Sequence, residues 1–134
     1  LEGKSERFLR NISQLRHECE QRGILLLLEK QQARSMTFKH IRGMTYAQEV
    51  QLIQDKLNKD GRINYNELSF LTHNILVNDL QAWARRNAVP MLDVVVLLDQ
   101  DRDVLLSWVH LSPRGNRMIA TALAKKIEEL LLES

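Results

Sequence analysis

The sequence predicts an α/β chain with parallel strands covered by helices, organised as the C-terminal part of a doubly wound fold. Three observations predict it. Segments of helical periodicity alternate with short apolar runs. The two strongest runs, Ile24 to Leu28 and Val89 to Leu98, each follow a helix-like segment. The resulting order of helix, strand, helices, strand, helix favours crossover connections, which make neighbouring strands parallel. Two strands are too few for a complete parallel sheet, so the expectation is part of a larger one.

Residues 5–22 carry Phe8, Ile12, Leu15 and Cys19 at helical spacing, with Arg7, Arg10, Arg16 and Glu18 between them. Gly23 stands where a helix C-terminus is expected. The run Ile24-Leu25-Leu26-Leu27-Leu28 then fits a strand buried on both faces. Residues 31–44 have no period and read as a polar loop. Thr45 is placed to cap a helix over about residues 46–57, and Lys59-Asp60-Gly61 signals a turn. From Tyr65 to Asn87 a long helix places Leu68, Leu71, Ile75, Leu76, Leu80 and Trp83 on its inner face. Val89 to Leu98 is the second predicted strand, with Pro90 at its start. Residues 99–111 read as a loop. Ser112-Pro113 then opens a last helix, serine as N-cap and proline at the first helical position.

Composition narrows the function classes. Of 134 residues, 44% are hydrophobic and 27% charged, which suits a packed core and not a disordered chain. The net charge is +2, and bases are scattered among acids, as in Lys125-Lys126 followed by Glu128-Glu129. Nucleic-acid binding normally needs a basic face, so it is not expected. The apolar runs are too short to span a bilayer. No signal peptide is visible, which leaves the compartment open between cytoplasm and secretion. Cys19 is the sole cysteine, so an intrachain disulfide and a cysteine-based zinc site are both excluded.

The most informative stretch is Ser107-Trp108-Val109-His110-Leu111-Ser112-Pro113-Arg114-Gly115-Asn116-Arg117. A histidine stands just before a capped helix, in a loop after a predicted parallel strand. Ligand and catalytic groups gather at the carboxyl ends of such strands. A neutral imidazole there can take a proton from a serine hydroxyl and return it to a leaving group. His17, His40 and His73 have no comparable context.

The run Val109-His110-Leu111-Ser112-Pro113, followed by Gly115-Asn116-Arg117, resembles the last conserved block of the SGNH hydrolases, the GDSL-like esterases and lipases. The segments from Arg10 to Leu27 and from Tyr65 to Asp93 resemble that family's helix-then-strand elements. The resemblance implies a three-layer α/β/α, flavodoxin-like fold, of which residues 1–134 form a single C-terminal segment. It implies hydrolysis of a small-molecule or lipid acyl ester, with His110 as general base and no metal or organic cofactor. The family's Gly-Asp-Ser nucleophile block is missing. The order of the family's blocks puts that nucleophile-bearing N-terminal part upstream of Leu1. Val77-Asn78-Asp79 lacks the glycine of the asparagine block and lies within a predicted helix. The family's aspartate, three residues before the histidine, is replaced by Ser107. Ser107 is able to accept a hydrogen bond from the ring but carries no charge, and Asp103 is the candidate substitute. The alternative is a degenerate, non-catalytic binding or scaffold module of the same fold.

A third pattern runs from Lys56 to Glu67. Asn58, Asp60, Gly61, Ile63 and Glu67 fall where an EF-hand loop has two oxygen ligands, its sharp turn, a core hydrophobe and its bidentate carboxylate. Lys56 occupies the first position, where an ammonium repels the ion. An ordinary Asp-Gly turn between two helices is the favoured reading.

Overall fold

The computed structural model describes residues 3–134. Helix α1 spans Lys4–Gln21, strand β1 Leu28–Lys30, helix α2 Tyr46–Asp60 and helix α3 Tyr65–Arg86. Strand β2 spans Met91–Asp93, helix α4 Val94–Leu98 and helix α5 Pro113–Glu133, with a single 3-10 turn at Arg102–Val104. The strands pair parallel, Leu28 opposite Met91 and Lys30 opposite Asp93. The parallel pairing agrees with the sequence reading.

The expected doubly wound, three-layer α/β/α architecture does not form. Helices dominate, and the sheet is two strands of three residues each. Two local causes are visible. Asp93 ends β2 because its carboxylate accepts from the Val96 amide, the geometry of a helix N-cap. Val94, Val95 and Leu98 are therefore buried at helical spacing while Val96 is 66% exposed, and the expected strand ends after three residues. In the first apolar run, Ile24 and Leu25 are more than half exposed and only Leu28 is buried, so the strand lies further along the chain than expected.

Helix ends follow their capping chemistry. At α2, Thr45 accepts from the Gln48 amide and the Gln48 side chain accepts from the Thr45 amide. Asn64 and Glu67 form the same reciprocal pair at α3, and Ser112 accepts from the Gly115 amide at α5. Gly61 ends α2 with φ at 67°, the left-handed conformation that glycine adopts without strain.

Three apolar clusters hold these elements together. The largest joins Ala33, Tyr46, Ile53, Phe70, Leu71 and Val95, from α2, α3, α4 and the loop after β1. Leu28, Leu80, Trp83 and Ala84 form the second, onto which Phe8, Leu9 and Ile12 of α1 pack. Val94, Leu98 and Val104 form the third, covered by Met118 and Ile119 of α5. Helix α1 has no fully buried residue, and Cys19 is half-buried, so α1 is a covering element more than a core one. No helix among the described residues is long and apolar enough to cross a membrane.

Candidate active-site turn

His110 sits in a closed turn. Leu105 and Leu111 form an antiparallel bridge, and the Leu106 amide donates to the His110 carbonyl at 2.7 Å. The Ser112 amide donates to the Val104 carbonyl at 2.7 Å, tying the turn to the start of α5. The sequence favours this closure: Leu105 is buried and Leu111 half-buried, while Leu106, Trp108 and His110 stay exposed. The turn therefore has an inward apolar base and an outward tip.

At the tip, Ser107 Oγ lies 2.6 Å from His110 Nδ1 and also accepts from the His110 amide at 3.3 Å. Nε2 makes no hydrogen bond among the described residues. A ring held at Nδ1 with a free, exposed Nε2 is chemically able to exchange protons with a bound group. Ser107 and His110 are thus brought together. Asp103 is not. Its carboxylate pairs with Arg34 at 3.1 Å, and no bond joins it to the imidazole.

Trp108 leads from this turn to a groove of about 390 Å³ along α3, bordered by Tyr65, Leu68, Ser69, Thr72 and His73. His73 accepts or donates at Nδ1 across 2.8 Å to the Tyr46 hydroxyl, and its ring meets Trp108 edge-on at 6.2 Å. Burial, with the Lys30 ammonium adding to it, pushes the His73 imidazole down to about 4, so it is neutral at pH 7. Burial also raises the Tyr46 phenol well above its usual range, so the hydroxyl keeps its proton. The pair is an uncharged hydrogen-bonded link between α2 and α3.

Behind the turn lies a polar network that sequence reading missed. The segment 31–44, which has no hydrophobic period, is buried at Gln32, Ala33, Arg34 and Ser35. Glu49 accepts from the Ser35 amide at 2.9 Å and from the Ser35 hydroxyl, and it pairs with Arg102, both partners almost fully enclosed. Arg102 also donates to the Ala33 carbonyl at 2.8 Å. Gln32 donates to the Val95 carbonyl at 3.0 Å, and Asp99 accepts from the Tyr46 amide at 2.8 Å. Hydrophobic periodicity carries no trace of these contacts, because their partners are up to 69 residues apart. The one available signal was Glu49 at an inward helical position of α2.

The Lys56 to Glu67 pattern closes differently from a calcium loop. Lys56 Nζ donates to both Glu67 carboxylate oxygens, at 2.8 and 3.0 Å. The second acceptor duty of Glu67 is the α3 cap. Burial favours the neutral acid, but the Lys56 bond and the Asn64 amide outweigh it and hold the carboxyl below its usual range. The carboxylate needed for a cation is thus engaged by an ammonium. Among the described residues, no group of three or more histidine, cysteine or acidic side chains is arranged to hold a metal ion.

A scan of family models finds no match to the chain, and searches of curated proteins and of solved structures find no significant match.

Proposed function

We propose that His110 is the general base and acid of a serine-based hydrolysis of carboxylic esters. Nε2 takes the proton of a serine hydroxyl as that oxygen attacks the ester carbonyl, then returns it to the departing alcohol. An acyl-serine results, and a water molecule activated by the same nitrogen releases the acid. No nucleophile or oxyanion donor is assigned among the described residues. The observation that carries the reading is the Ser107–His110 contact at 2.6 Å, which orients the ring through Nδ1 and leaves Nε2 free. The likeness of residues 109–117 to the histidine block of the SGNH hydrolases supports it. The three-layer architecture of that family is no part of the proposal.

A second reading, a non-catalytic binding or scaffold module, is favoured by one observation. Among the described residues no carboxylate bonds to His110: Ser107 stands in the acidic position and Asp103 is engaged by Arg34. A charged partner stabilises the imidazolium formed during the reaction, and its loss lowers turnover by orders of magnitude.

Hydrolysis of a short-chain aryl ester by the native protein, beside His110→Ala and Ser107→Asp, separates the two. Activity abolished in His110→Ala and raised at least about tenfold in Ser107→Asp supports hydrolysis. Activity indifferent to His110 overturns it. No hydrolysis in any form moves the function to binding.

A further inference from the structure

One side chain ties the segment after β1 to the turn that carries His110. The Arg34 side chain is 7% exposed. Its Nη1 donates to the Arg102 carbonyl and to Asp103 Oδ1, each at 3.1 Å, and its Nη2 donates to the Lys39 carbonyl at 3.2 Å. Its own backbone amide donates to the Trp108 carbonyl at 2.9 Å. The side chain therefore holds the base of the turn at 102–103, while the tip at Trp108 is held by the backbone amide of the same residue. Ser35, the next residue, is locked onto Glu49, and Ala33, the preceding one, onto Arg102. Arg34 is thus anchored on both sides before it touches the turn.

We infer that Arg34 is the positioning residue of the candidate site: it fixes the 105–111 turn against the end of β1 and withholds the Asp103 carboxylate from His110. Its catalytic meaning rests on His110 being the base, whereas the clamping itself does not. The chemistry suits arginine. Three acceptors spread across two nitrogens need a planar fork, which a lysine ammonium cannot reproduce. The ion pair with Asp103 is the weaker part, since that carboxylate side chain is 74% exposed and screened by water. The bond to the enclosed Arg102 carbonyl is the stronger part, because it is buried; that oxygen also accepts from the Leu105 amide, so Arg34 ties into the hydrogen bond that closes the 3-10 turn.

The test is amide hydrogen exchange, followed by NMR on the whole chain, in Arg34→Lys, Arg34→Met and Asp103→Asn. In both Arg34 variants the Leu106 and Ser112 amides, which close the turn, exchange at least about tenfold faster relative to Phe70 and Leu80 in α3. Asp103→Asn gives a smaller acceleration confined to the same amides. A purely global role speeds turn and α3 amides alike, and that result, or no change in either, overturns the inference. Asp103 is exposed, so Asp103→Asn folds even if the Arg34 variants do not; turn-specific acceleration in it then supports the clamp, and unchanged exchange overturns it. The His110→Ala assay tests the base separately, so failure of the clamp and failure of the catalytic reading are told apart.

Discussion

Ser107 Oγ lies 2.6 Å from His110 Nδ1, and the same oxygen receives the His110 amide, so one hydroxyl sets both the backbone turn and the ring orientation. If the ring is to act as a base through Nε2, Nδ1 must carry the proton and donate it to Ser107. The expected outcome is a nitrogen NMR spectrum of the neutral ring with the Nδ1–H form dominant. In Ser107→Ala the two tautomers mix, while unfolding stability changes by less than about 0.5 kcal/mol, because the tip is exposed. A dominant Nε2–H form in the native chain would rule out the base role as drawn.

Glu49 and Arg102 form an enclosed ion pair joining α2 to the turn segment. Removing one partner strands the other charge away from water. Glu49→Gln and Arg102→Met are each expected to cost about 3–5 kcal/mol in urea unfolding. The double variant should cost clearly less than the sum, since no lone charge remains. Additive losses would mean that the two side chains act independently.

His73 gives the fold an acid-sensitive limb. Its pKa is depressed in the folded state to about 4, against 6.5 for the unfolded chain, so the unfolded chain binds the proton first. The stability it contributes is complete above pH 6.5 and is lost as pH falls from there to about 4, by at most about 3 kcal/mol. The depressed Glu67 carboxyl adds its own loss only below its usual value of 4.5. Denaturation midpoints between pH 7 and 5 should therefore fall in the native chain and stay nearly level in His73→Phe. A slope unchanged by the substitution would assign the effect elsewhere.

Gly115 lets α5 approach the turn segment. A Cβ there would lie 2.9 Å from Val104 Cβ and 3.2 Å from Leu111 Cδ2. Gly115→Ala should destabilise by about 1–3 kcal/mol, although alanine is the better helix former. A stabilised Gly115→Ala would show that α5 shifts away freely.

Several of these features are legible in the residues alone. Thr45, Ser112 and Gly61 mark helix ends by short-range chemistry, and the structure puts helix ends there. Periodicity places Leu71, Leu80 and Trp83 inward and they are buried, whereas Leu68, equally apolar and on the same face, is 43% exposed beside the groove. Periodicity identifies a face but not how wide a strip of it is covered. The Ser107–His110 pair was suggested only by the likeness to the histidine block of the SGNH hydrolases, since no periodicity links two loop residues.

By itself the sequence determined what depends on neighbours along the chain: the long helices, the caps at Thr45 and Ser112, and the loop that presents His110. Only the tertiary structure decided what depends on distant partners. Asp93 as a cap, not as a strand residue, required the burial of Val94, Val95 and Leu98 against other elements. Arg34 and Glu49 became interior residues because Arg102 and Asp103, far along the chain, fold back to meet them. A buried charge is stable only when its partner is in place, and which partner that is follows from how the chain packs and not from local spacing.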